Sequence, residues 1–396
     1  MGSIRTLRLV CLLFFFALAA GANGQVRVFN VKDFGAISDG KTDTSRALLG
    51  AWKAACGWNG NSRILIPGGT FLVGPVVLRG PCKGSMVLQV TGVLKAPSDL
   101  SQFQSDGWIE FQHVKGLLIT GGGKFDGQGA SAWPHNQCPM KANCKILPTS
   151  IRLNFVTDGT IRGISSVNSK FFHIHIFGSK NINLHSLKIS APKDSPNTDG
   201  IHIGSSSGVK ISRSVIGTGD DCISIGAGSS NIFISDVRCG PGHGISVGSL
   251  GKYSNEGDVV GLTVRNCTLT GTTNGVRIKT WAGSKPSLAS NFLFQDIAMN
   301  NVYNPIIIDQ KYCPLPSCNQ ESPSHVKINN VKFINIKGTS ASKVAVNLLC
   351  SKYQPCQNVE LNNIDLEYKG HGGATTASCS NVKGQSSGHL VPPSCL

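Results

Sequence analysis

The chain has 396 residues, with 37 Lys and Arg against 21 Asp and Glu, a formal net charge of +16. Hydrophobic residues make up 40% and charged ones only 15%, with 47 glycines, which excludes a helical bundle, a coiled coil and wholesale disorder. A chain this basic suits a polyanionic partner.

Residues 1–24 have the pattern of a secretory leader. Arg5 and Arg8 precede an apolar run from Leu9 to Ala20, and the small residues Ala20, Ala22 and Gly24 follow it. The run is too short to span a bilayer, and no later stretch reaches that length, so no membrane attachment is expected. The expected product is a secreted, extracellular chain of residues 25–396 forming one domain. Export also sets the redox state of its cysteines, which should be oxidised. Sequence proximity suggests that Cys56 pairs with Cys82, Cys138 with Cys144 and Cys222 with Cys239. It likewise suggests Cys313 with Cys318, Cys350 with Cys356 and Cys379 with Cys395, leaving Cys267 free. No CxxC or HxxxH spacing supports zinc instead.

The segment 133–149 carries Pro134, Pro139, Pro148 and one of these cysteine pairs, the signature of a stiff loop. After it a repeat sets in. Segments beginning at Ile182, Val209, Ile232, Leu262, Phe292, Val326 and Val359 place apolar or small residues at 0, +2, +5 and +7, with looser copies near Leu117 and Ile161. They recur every 23–34 residues, the range of a solenoid. The period inside each unit is two, so the units are strands, and the Gly-, Ser- and Asn-rich insertions between them are loops. The expected fold is all-β, a parallel β-helix with one repeat per coil.

A second strand follows the first by 13–19 residues: Ile201-His202-Ile203, Ile223-Ser224-Ile225, Ile245-Ser246-Val247, Val276-Arg277-Ile278 and Ile306-Ile307-Ile308. Stacked, these coils put Asp199, Asp221, His243 and Asn274 in one column, with Asp220 beside it and Arg277 and Lys279 pointing outward nearby. The chain must bend at Gly200, Cys222 and Gly244 to turn the column outward. Three neighbouring acids raise one another's pKa, which gives one protonated acid and ionised bases, the set a glycosidic hydrolysis needs. Arg277 and Lys279 are the expected clamp for an anionic sugar carboxylate. A calcium site would prefer more oxygen ligands and no histidine, so neither metal nor cofactor is expected. Secretion and an aromatic content of 7% argue against nucleic acid. Asn266-Cys267-Thr268 is a glycosylation sequon on an outward strand position.

Asn197-Thr198-Asp199, Gly219-Asp220-Asp221, Gly242-His243-Gly244 and Arg277-Ile278-Lys279, in this order, resemble the polygalacturonases of glycoside hydrolase family 28. The pollen-type exopolygalacturonases of plants are especially similar, through Gly240 to Leu250 and Asn274 to Trp281. The resemblance implies a right-handed, pectate-lyase-like β-helix hydrolysing α-1,4-galacturonosyl links of de-esterified pectin in the cell wall, with inversion. It implies Asp220 as general acid, Asp199 and Asp221 as activators of water, His243 as keeper of the acid's proton, and Arg277, Lys279 and Tyr312 as substrate binders. A monomer releasing galacturonate from the non-reducing end is expected, with the 133–149 loop closing one end of the cleft. The rivals are an endo-acting polygalacturonase, a calcium-dependent lyase, a rhamnogalacturonan hydrolase and a non-catalytic pectin-binding solenoid.

Overall fold

The computed structural model describes residues 26–138, 140–141, 144–314 and 318–396; the expected leader and Pro139 lie outside them. Among the described residues every strand pairing is parallel. One sheet stacks eleven short strands from Val76–Arg79 to Thr376–Ser380, and the rest form a second, sharply bent sheet. The chain passes from one to the other once per coil, which is the expected parallel β-helix, right-handed as such crossovers are. In the first sheet Ile201, Ile223, Ile245, Val276 and Ile306 stack in register, as do Ile203, Ile225, Val247, Ile278 and Ile308. All ten are buried, so each coil sheds its apolar face onto its neighbours.

The 0, +2, +5, +7 pattern has a backbone cause. Position +4 holds a left-handed residue in coil after coil: Ser186, Arg213, Asp236, Asn266, Asp296 and Asn363. Position −1 holds another: Asn181, Gly208, Asn231, Gly261, Asn291 and Asn358. Asn and Asp tolerate this conformation because their short side chains bond locally. The two corners turn one continuous segment into strand, bend, strand. They also link coil to coil, as where Asn335 Nδ2 donates to Asp296 Oδ1 at 2.9 Å and Asn363 Nδ2 to Asn335 Oδ1 at 3.1 Å.

Two expectations need correction. Phe292 pairs with Val331, not Val326, and Val331 pairs with Val359. The corners at Asn330 and Asn335 are five residues apart, so a shift by five leaves the apolar pattern unchanged and the sequence alone could not fix the register. Likewise Gly159, not Ile161, aligns with Ile182. The α-helix Ser45–Cys56 is an element that the repeat does not indicate. It lays Leu48, Ala51, Trp52 and Ala55 over the first coils, closing an otherwise open end of the core.

The cysteine pairing agrees with sequence proximity throughout. Cys56 is bonded to Cys82, Cys138 to Cys144 and Cys222 to Cys239. Cys313 is bonded to Cys318, Cys350 to Cys356 and Cys379 to Cys395. Cys267 is free and buried. The first bridge ties the C-terminal end of the helix Ser45–Cys56 to the coil beneath it, and the last ties the chain's end at Cys395 to the final strand of the eleven-stranded sheet.

Candidate active site

The expected column forms on the eleven-stranded sheet. Register sets Ile201, Ile223, Ile245 and Val276 side by side, so Asp199, Asp221, His243 and Asn274 lead into adjacent strands. The chain bends at Gly200 and Cys222, as the outward turn requires. Glycine is demanded beside His243. Gly244 has φ +87°, and a Cβ there would lie 2.1 Å from the Asn274 carbonyl oxygen. Gly219, ahead of the aspartate pair, would bring a Cβ to 2.0 Å from the Ser195 carbonyl oxygen. The Gly-His-Gly and Gly-Asp-Asp motifs are therefore packing requirements as well as chemical ones.

The three carboxylates have different partners. Asp220 Oδ1 faces His243 Nδ1 at 3.0 Å and accepts from the Asp221 N–H at 2.8 Å. Its Oδ2 accepts from Asn197 Nδ2 at 3.3 Å. Asp221 is held by cations: Arg277 Nη2 donates to Oδ1 at 2.9 Å and Lys279 Nζ to Oδ2 at 3.0 Å, with Ser246 Oγ on Oδ1 at 2.7 Å. Asp199 is 5% exposed and accepts from Ser224 Oγ at 2.6 Å, and Ser224 in turn is met by His202 Nδ1 at 2.7 Å.

Protons distribute accordingly. Burial, with the charges of Asp220 and Asp221, holds the Asp199 carboxyl well above the ordinary carboxylate range. Burial pushes Asp220 the same way but is outweighed by the bond and charge of His243 and the charge of Lys279, so its pKa falls to about 2. His243 is raised, chiefly by its bond to Asp220. Burial lowers His202 to about 4, so it is neutral and donates from Nδ1. These shifts favour the protonated form of Asp199 and of His243 and the ionised form of Asp220. The Asp220 charge raises Asp199, so a proton on Asp220 makes Asp199 easier to ionise.

Arg277 and Lys279 depart from the simple outward clamp, since both are largely buried against Asp221. Tyr312 lies close by: the Lys279 ammonium is 5.3 Å from its ring, and Trp281 meets that ring edge-on at 5.6 Å. A carboxylate oxygen of Asp220, one of Asp221 and a His243 nitrogen lie within 4.8 Å of one another. The carboxylate oxygens accept from Lys279, Arg277, Asn197 and the Asp221 N–H, so the chain supplies its own counter-charge and donor set. Asn266, the expected glycan acceptor, is exposed on the other sheet, where it caps Asp236.

Sequence reading missed Ser224, Ser246 and His202. All three occupy the outward position of the same strand triplets as Arg277, in register with it, so the signal was present. It also missed Asn136, on the 133–149 loop. That loop lies against the site, not far from it: Asn136 Nδ2 donates to Asn197 Oδ1 at 3.0 Å, and Leu147 and Cys138 pack with Phe171 and Phe172.

A parallel solenoid bearing a carboxylate cluster beside buried cations fits the acid–base chemistry of a glycosidase. The family model for glycosyl hydrolases family 28 matches residues 56–391, and the chain belongs to that family. It is 50% identical to an exopolygalacturonase of Platanus acerifolia, over 94% of this chain and 98% of the relative. It is 52% identical to an exopolygalacturonase of Oenothera organensis, over 89% and 98%. Among solved structures, a hyperthermoactive exopolygalacturonase from Thermotoga maritima superposes with a TM-score of 0.77 at 22% identity, over 91% of each chain, a likeness of fold.

Proposed function

We propose that this chain is a secreted exo-polygalacturonase, acting as a monomer on de-esterified pectin in the cell wall and releasing galacturonate from the non-reducing end. The observation that carries the reading is the meeting of Asp199, Asp220 and Asp221 with Arg277 and Lys279 in one cluster. The family, and relatives named as exopolygalacturonases, support the substrate and the exo mode. The basic net charge fits the polyanion, and the leader pattern with six disulfides fits export.

Asp220 acts as general acid. A galacturonate carboxylate entering beside Lys279 and Arg277 offsets the Lys279 charge that, after His243, helps depress Asp220, which raises the acid's affinity for a proton. Once protonated, Asp220 no longer raises Asp199 through its charge, which favours the ionised base. Asp199 is the better base, because both oxygens of Asp221 are engaged by Arg277, Lys279 and Ser246. Asp220 protonates the glycosidic oxygen, Asp199 takes a proton from water, and the water oxygen bonds to the anomeric carbon as the C–O bond breaks. The carboxylates of Asp220 and Asp221 stand closer than the general spacing for inversion, so the stereochemistry rests on the family resemblance.

The test is the early digest of polygalacturonate with and without EDTA. Monogalacturonate with slowly falling viscosity and no EDTA effect is expected. Unsaturated products lost on chelation would mean a lyase, and mixed oligomers with a rapid viscosity drop an endo enzyme.

A further inference from the structure

Asn136 is 7% exposed, and two backbone groups fix which way its amide faces. The Cys138 N–H donates to its Oδ1 at 2.9 Å, and its Nδ2 donates to the Pro196 carbonyl at 3.3 Å. A backbone N–H only donates and a carbonyl only accepts, so turning this amide round would lose both bonds. Its Nδ2 therefore also faces Asn197, whose Oδ1 accepts at 3.0 Å. Asn197 has φ +53°, which anchors its backbone in a tight corner. With its oxygen taken by Asn136, it can present only Nδ2 to Asp220, and it does so at 3.3 Å to Oδ2.

We propose that Asn136 is a positioning residue for the hydrolysis: by fixing the amide of Asn197 it keeps a hydrogen-bond donor on Asp220 Oδ2, the oxygen His243 does not use. The inference rests on Asp220 being the general acid. A donor on a carboxylate favours the ionised form, so this relay makes Asp220 a readier proton donor. Were Asn197 reversed, its carbonyl oxygen would be matched only by a protonated Asp220, which would hold its proton to higher pH. The Cys138–Cys144 bridge begins two residues after Asn136 and joins two residues of the same loop.

The experiment is the pH profile of kcat/KM on polygalacturonate for the full chain, with thermal unfolding of each variant alongside. The carboxylate introduced by Asn136→Asp accepts from Asn197 and reverses its amide. Its alkaline limb should move up by roughly 0.5–1 unit, since two or three donated bonds together lower a carboxyl by about two units. Asn136→Ala adds no charge and should move the limb the same way by less. Both shifts should vanish when Asn197→Ala is added, because the relay then has no middle member. An even loss of kcat with both limbs fixed would overturn the proposal in favour of mere packing. A shift that persists with Asn197→Ala would overturn it in favour of direct charge. Near-parental turnover in Asp220→Asn would remove the acid assignment itself and the proposal with it, whereas fixed limbs alongside an inactive Asp220→Asn would remove only the relay.

Discussion

Lys279 and Asp221 are joined at 3.0 Å with side chains only 9% and 2% exposed, so the cation expected to meet substrate is also the counter-ion of a catalytic-cluster carboxylate. Substrate binding and proton affinity are thereby linked through one ammonium group. Lys279→Met should raise KM for polygalacturonate, since a hydrogen bond to a charged group is worth about 1.5–3 kcal/mol, roughly a 10- to 100-fold change. Its charge also lowers Asp199 and Asp220, so its loss should shift the alkaline limb of the pH profile upward. Methyl-esterified pectin should be a poor substrate for the parent. Steady-state kinetics on both substrates would contradict this if the rates were equal.

Asp220→Asn should fold and lose at least about 100-fold in kcat, because an amide cannot donate the acid's proton. Asp199→Asn should lose activity too, yet gain stability at alkaline pH. The folded pKa of Asp199 is raised, so its contribution is present below its ordinary 3.8 and is lost as pH rises through the folded value. Above that the protein carries a buried carboxylate under strain, and an amide removes it. His243 has the same sign. Its contribution is present below its ordinary 6.5 and is lost as pH rises past its elevated value. Asp220 is opposite, contributing above its ordinary 3.8 and losing that as pH falls toward about 2. The parent's melting temperature should therefore peak in mildly acidic buffer, and Asp199→Asn should flatten its alkaline decline. A lower melting temperature for Asp199→Asn at pH 8 would count against this account.

How much of this was legible beforehand follows from which residues carry period. The strands repeat, so Ile201, Ile223, Ile245 and Val276 could be stacked from spacing, and the Asp and His column came with them. Register at Val331 could not, because corners at Asn330 and Asn335 repeat the apolar pattern after five residues. The helix Ser45–Cys56 was legible in principle, since Ala47, Leu48, Ala51, Trp52 and Ala55 follow helical spacing, but it occurs once and no repeat points to it. The Asn136–Asn197–Asp220 relay was not legible at all. It joins a non-repeating loop to a coil some sixty residues on, a contact that only the folded chain displays.

The cysteines give a chemical count. Among the described residues, six bridges leave Cys267 alone. Burial pushes its thiol up to about 12, so the native protein should resist alkylation. Denatured without reductant, the mature chain should take one label, at Cys267. The Cys222–Cys239 bridge follows Asp221 directly and ends at the approach to His243. Replacing both cysteines by Ala should cost about 2–4 kcal/mol of stability and lower kcat by loosening the Asp220–His243 geometry. Peptide mapping that finds Cys222 labelled would reject the bridge.

The 133–149 loop is the segment proposed to impose exo action. It packs through Leu147 and Cys138 onto Phe171 and Phe172, and Phe172 stacks on His202 at 4.7 Å, the residue that supports Ser224 and Asp199. It therefore packs on the coil two before the one that carries Asp220 and reaches the intervening coil through Asn136 and Asn197, where it can stop a substrate chain from running past the site. Its exposed Lys141 and Lys145 suit an anionic chain end. Replacing residues 139–143 by two glycines, with Cys138 and Cys144 changed to Ser, should open that end while sparing Asn136. The digest should then gain oligomers and lose viscosity faster per bond cleaved. Lys141→Glu with Lys145→Glu should instead raise KM and leave the product pattern unchanged. Chromatography of early products separates the two effects: monogalacturonate as sole product from the shortened loop would show that the wall lies elsewhere.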